Sequence, residues 1–243
     1  MHSHLFRTAL LLSACVPLLA SACGGSDTND PTPRPDQLTL TDAQVRSLDS
    51  TGRVIEQANP ANGNIKSFVD STLLVLTAGI VAKRLDVVTD VTTSPLYFVG
   101  IHRVVSQGNG SFSTWNVVGM DDPSHLTSIV EVGGYAPSAG ATAPTSVSEA
   151  IGGVATHAYF LTVGAGGVVT EWFANSGSAS FASGPAGAPC PNFTATGGIT
   201  CSLETMHVHF SASASSGTNG AGARQATVGA DVDVPTMRLT YGF

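Results

Sequence analysis

The chain has 243 residues, of which only 11% are charged, with 10 Lys and Arg against 17 Asp and Glu and a formal net charge of −7. Its basic residues are scattered, the densest group being the pair Lys83-Arg84, so the sequence lacks the concentrated positive surface that a nucleic-acid partner requires. Glycine, serine, threonine and alanine abound, the profile of an exported β-rich protein with neutral polar faces.

Residues 1–22 read as a targeting segment. A short polar start with one positive charge at Arg7 precedes the apolar stretch Thr8 to Ala20, which is too short for a lasting membrane span. It ends on Ala20-Ser21-Ala22-Cys23 with Gly24 and Gly25 next, and this resembles the lipobox of bacterial lipoproteins. The resemblance implies that Cys23 is diacylated and becomes the new N-terminus, two acyl chains being what stable anchoring requires. It further implies a location in the bacterial cell envelope, with the membrane itself as a partner through the lipid. Gly24 stands where many inner-membrane lipoproteins carry a retaining aspartate, so the outer membrane, facing the periplasm or the cell surface, is the expected site. The earlier string Leu12-Ser13-Ala14-Cys15 has the Leu that the family prefers, but it would leave an apolar core of only about seven residues. An ordinary secretory signal cleaved after Ala22 is the plainer alternative and would leave Cys23 as a free thiol.

Residues 23–37 follow as anchor and linker. Three prolines and three aspartates, with no large apolar side chain among them, cannot bury enough surface to fold and make a semi-extended tether. Residues 38–84 are expected to form a helical subregion packed on a sheet. One helix is read over 39–57, from the start signal Thr41-Asp42 and the near-helical spacing of Val45, Leu48 and Val54-Ile55; a second is read over 67–84.

From Leu85 the period changes to two, and residues 85–243 read as an antiparallel β domain. Strands are predicted at 85–91, 96–106, 111–119, 126–133, 156–164, 168–174, 178–182, 199–214 and 223–243, with 134–154 as a long loop. Short turn-forming separators such as Gln107-Gly108-Asn109-Gly110 and Asn175-Ser176-Gly177 indicate hairpins and meanders rather than βαβ units. The expected fold is therefore mainly β, an antiparallel β-sandwich-like or meander sheet with one or two N-terminal helices. Cys190 and Cys201, eleven residues apart, are expected to form a disulfide, worth about 2–3 kcal/mol by the loop-entropy argument.

One constellation carries chemistry. In Thr205-Met206-His207-Val208-His209-Phe210, a strand places Met206, Val208 and Phe210 on one face and Thr205, His207 and His209 on the other. The segment from Arg224 alternates likewise, with Ala226, Val228, Ala230 and Val232 opposed to Gln225, Thr227, Asp231 and Asp233. Folding this hairpin about Asn219 sets 206 opposite 232 and His207 opposite Asp231, although a slip of two residues would keep the faces and change the partners. Two imidazoles at i and i+2 with a neighbouring carboxylate are a zinc-type donor set, so His207, His209 and Asp231 are the candidate metal ligands, with His102, His125 and His157 available as a further histidine. The plainer reading of the same residues is a solvated face of cross-strand His–Asp pairs, with no cofactor.

Other catalytic signals are weak. The nearest string to a nucleophile elbow, Ala136-Pro137-Ser138-Ala139-Gly140, starts with alanine, and Asp121-Asp122-Pro123 with His125 is first of all a turn signal. No catalytic residue is assigned. The terminal Met237, Leu239, Tyr241 and Phe243 alternate in a way that resembles the last strand of outer-membrane β-barrels. Aromatic residues are only 7% of the chain, too few for the girdles of such a barrel, so this segment is read as the last strand of a soluble sheet, its face shifted by a bulge near Pro235. The favoured function is a lipid-anchored binding or structural module with an envelope protein or a glycan as partner; a zinc-dependent envelope hydrolase and an outer-membrane barrel are the alternatives.

Overall fold

The computed structural model describes residues 37–38, 82–85, 96–108, 110–121, 128–152, 155–163, 169–216 and 224–242. All belong to the compact unit Pro35–Phe243. Cys23, His125 and both predicted helices, except for residues 82–84, lie outside the described residues.

The described residues form ten strands: β1 (Gln37–Leu38), β2 (Ala82–Leu85), β3 (Leu96–Ser106), β4 (Ser111–Met120), β5 (Ser128–Ser138), β6 (Ser146–Ala150), β7 (Thr156–Val163), β8 (Val169–Ser183), β9 (Ile199–Ser216) and β10 (Gln225–Gly242). The protein is mainly β, as composition and alternation predict. The three residues Ala82 to Arg84, which the helical reading included, are extended and pair with Tyr97 and Phe98 or Leu38.

The sheet is not wholly antiparallel, and it closes. β3 pairs antiparallel with β4 and parallel with β10, and the run β10-β9-β8-β7-β5-β4 returns to β3, so these seven strands form a ring. The parallel pairing joins strands far apart in sequence, Gly100 to Thr236 through Ser106 to Gly242, which strand-by-strand alternation cannot announce. Closure pairs strand edges that an open sheet would leave free for association with other chains.

Three further differences have local causes. The predicted strands 168–174 and 178–182 are one strand, β8, and Asn175-Ser176-Gly177 is a bulge within it rather than a turn. Gly177 takes a φ of 131° there, and a side chain at this position would run into the Ser211 carbonyl. β5 continues to Ser138 and β6 occupies 146–150, so the segment expected to be a loop is largely extended. β6 and β7 lie end to end along one edge of β8, pairing with its C-terminal and N-terminal halves.

The β9–β10 hairpin keeps the predicted faces but slips by two residues: Val208 is opposite Val232, His207 opposite Asp233 and His209 opposite Asp231. An alternating pattern is unchanged by a shift of two, so it fixes the faces and leaves this choice to the rest of the sheet. The pairing runs without interruption from Gln225↔Ser215 to Tyr241↔Ile199, so β9 and β10 have no bulge at Pro235.

The inner face is solid. Phe98, Trp115, Trp172, Phe181, Met206 and Phe210 are each less than 2% exposed and pack with Val117, Val132, Val208 and Val234. Trp115 stacks on Phe181, and Trp172 on Phe160, at interplanar angles of 14° and 8°. Each such side chain contributes about 1.5–3 kcal/mol on leaving water, which makes this interior the main source of stability. A second, smaller core lies on the outer face of β3, β9 and β10. There Tyr97, Val99, Ile101, Met237 and Leu239 pack with the Cys190–Cys201 disulfide, beside Phe193 and Leu203.

Candidate functional site

The predicted His–Asp constellation forms on the outer face of β9 and β10. His207 Nδ1 lies 3.1 Å from Asp233 Oδ1 and its Nε2 lies 3.2 Å from Asp231 Oδ1; His209 Nδ1 is 3.4 Å from Asp231 Oδ2. The four side chains are about half exposed or more. Strand alternation places them on one face and the register decides the pairing. Both nitrogens of His207 therefore point at carboxylate oxygens, which makes the group a ladder of cross-strand imidazole–carboxylate pairs. Among the described residues no group of three or more His, Cys, Asp or Glu side chains is arranged to hold a metal ion. His207, His209 and Asp231 are brought together, but without the three-ligand geometry expected of them. Of the other histidines among the described residues, His102 is inside the barrel and His157 is on the outer face of β7.

Around this ladder the outer face is hydroxyl-rich. Across β8, β9 and β10 it presents Ser180, His209 and Asp231 in one row, Ser178, Ser211 and Gly229 in the next, and Ser176, Ser213 and Thr227 in the third. The exposed ring of Phe173 stands at its far end.

Inside the barrel, towards the end where β3 finishes and β9 begins, is a buried polar network. His102 and the Glu204 side chain are fully buried. His102 Nδ1 lies 2.9 Å from Glu204 Oε1 and 3.0 Å from Ser183 Oγ, and its Nε2 lies 3.2 Å from Ser113 Oγ. Ser113 donates to the Pro144 carbonyl at 2.6 Å, so its oxygen receives a hydrogen from Nε2. Trp115 stacks on the imidazole at 5.1 Å and donates its indole N–H to Ser183. Arg238 Nη1 stands 3.6 Å from Glu204 Oε2 as counter-charge.

A carboxylate, an imidazole and a serine in line are the parts of a charge-relay site. The serine's hydrogen is committed to Pro144, however, and all three groups are sealed in, so the arrangement braces the barrel end rather than activating a nucleophile. Its signal in the sequence is an inversion of pattern. In Ile199-Thr200-Cys201-Ser202-Leu203-Glu204 the apolar residues occupy the face opposite to that of Met206, Val208 and Phe210.

A second polar cluster lies on the outer face of β4, β5 and β7. Asn116 donates its amide N–H to Glu131 Oε1 at 2.7 Å, and His157 Nε2 is 3.9 Å from the same oxygen. Glu131 pairs across the strands with Tyr159. Burial, then Glu171 and Glu131, push the Tyr159 phenol well above its ordinary range. Finally, a cleft of about 560 Å³ opens beside the disulfide loop, lined mainly by Pro185, Ala188, Pro191, Leu203, Thr205 and Pro235.

The class defined by this geometry is a closed, mostly antiparallel β-barrel with a filled interior. No protein-family model, no curated protein and no solved structure matches the chain.

Proposed function

We propose that the protein is a lipid-anchored module of the bacterial cell envelope, tethered through Cys23 and its proline-rich linker, whose barrel presents the face of β8, β9 and β10 to an envelope protein or a glycan. The observation that carries this reading is that the barrel's apolar side chains fill its interior while the outer face of β8, β9 and β10 carries Ser176, Ser178, Ser211, Ser213 and Thr227 in register beside the His–Asp ladder. Such a face offers hydrogen bonds in register over three strands and suits a polar, weakly charged partner. The same disposition favours a tethered domain over an outer-membrane barrel, since a lipid-facing surface would not carry His207, His209, Asp231 and Asp233 together.

Lipidation is tested by the intact mass of the protein extracted from its own cells. A diacylglyceryl-modified chain starting at Cys23 is expected, and Cys23→Ala should move the protein from the membrane to the soluble fraction. An unmodified mature chain in the membrane fraction would sink the anchor. Binding is tested by retention of soluble protein on envelope glycan and by crosslinking from single cysteines placed at Ser178, Ser211 and Thr227. Equal crosslinking from positions on other faces would sink the assignment of this surface.

A further inference from the structure

Three buried oxygens on the outer face of β4, β5 and β7 have no hydrogen-bond partner among the described residues: Asn116 Oδ1, Glu131 Oε2 and the Tyr159 hydroxyl. The Glu131 side chain is only 3% exposed and Asn116 only 8%. A buried carboxylate oxygen without a donor is among the least favourable arrangements a fold can keep, and each such group requires a reason. Burial, then the negative charges of Glu171 and Glu131, push the neighbouring Tyr159 phenol up, a field that favours a cation beside Glu131.

The histidine is positioned for the same purpose. His157 and Asn116 are the cross-strand neighbours of Gly133 on either side, and Glu131 is two residues from Gly133 on the same face. The imidazole lies directly over Gly133, where any side chain would collide with the ring, so the glycine makes the seat for it. Its Nε2 stands 3.9 Å from Glu131 Oε1, too far for a hydrogen bond. Two donors bound to one ion at about 2.1 Å each lie about 3–4 Å apart, and this pair falls in that range. The His157 side chain is 57% exposed, which leaves the site open to solvent on one side.

We propose that Glu131, Asn116 and His157 form a binding site for a divalent first-row transition cation of the zinc type, with the carboxylate, the amide oxygen and the imidazole as its protein ligands. A mixed oxygen and nitrogen set suits such an ion better than magnesium or calcium, which favour oxygen alone. The site combines a carboxylate and an imidazole with a third donor from an amide. It is distinct from the His207–Asp231 ladder and does not depend on the proposed envelope function.

The test is calorimetric titration of the metal-stripped full-length protein in mild detergent with zinc chloride alone, repeated with cobalt chloride to read the visible absorption of the bound ion. One equivalent of metal is expected. His157→Ala and Glu131→Gln should each weaken it at least tenfold and abolish the cobalt absorption, whereas a His207→Ala, His209→Ala double variant should bind as the parent does. His157 is solvent-exposed, so its variant decides the matter if Glu131→Gln does not fold. Absence of binding at millimolar zinc, or binding that survives His157→Ala and is lost in the ladder variant, would overturn the proposal.

Discussion

The two halves of the β9–β10 ribbon are built on opposite plans. In the half spanning 205–215 and 225–234, apolar side chains point into the barrel and His207, His209, Asp231 and Asp233 point to solvent. In the half spanning 199–204 and 235–242, Leu203, Met237 and Leu239 are on the outer face under the disulfide loop, while Glu204, Thr236 and Arg238 are on the inner face. No bulge separates the two halves. The difference teaches that an apolar phase reversal along a strand need not mark a backbone irregularity; it can mark the place where a second core replaces solvent as the outer neighbour and a polar network replaces the first core.

The comparison breaks most sharply at Glu204. Glu204→Ala leaves His102 without its buried hydrogen-bond partner and Arg238 without its counter-charge, and should destabilise the domain by about 3–5 kcal/mol, measured by urea unfolding. A loss under 1 kcal/mol would mean that the network does not brace this end. Next in size is the outer cover: replacing Cys190 and Cys201 together by Ser should remove about 2–3 kcal/mol, and hydrogen exchange should rise first in 235–242. Uniform acceleration across the barrel would instead make the second core part of one indivisible unit. The smallest effect is expected in the solvent-facing half. His207→Ala or Asp233→Asn should change stability by less than about 1 kcal/mol, and less still in high salt, because both partners are more than half exposed. A cost as large as that of Glu204→Ala would show that the ladder is more than a surface pairing.

Much of the fold is legible in the residues themselves. Leu96–Ser106 coincides with its predicted strand, and β4, β7, β9 and β10 differ from theirs by a few residues at the ends. Their alternation and Gly-rich separators are local signals. Where the signal is ambiguous the reading fails in a characteristic way: Asn175-Ser176-Gly177 has turn chemistry but serves a bulge, and the Gly and Ala content of 134–154 hides two extended segments whose ladder bonds come from distant strands. The His–Asp face is legible because one alternation governs both strands. Its partners are not, because alternation has a period of two and the observed register differs by that amount.

By itself the sequence determines the β class, the faces of the long hairpin, the disulfide pair and the group of residues that shares the polar face. Each follows from local periodicity or from the covalent possibilities of the few cysteines. Tertiary structure alone decides that the sheet closes through a parallel β3–β10 pair, that His102 meets Glu204 across 102 residues, and that His157 comes to rest over Gly133 beside Glu131. Those contacts join segments whose patterns are mutually silent, and it is ring closure, with its single compatible register around all seven strands, that brings them together.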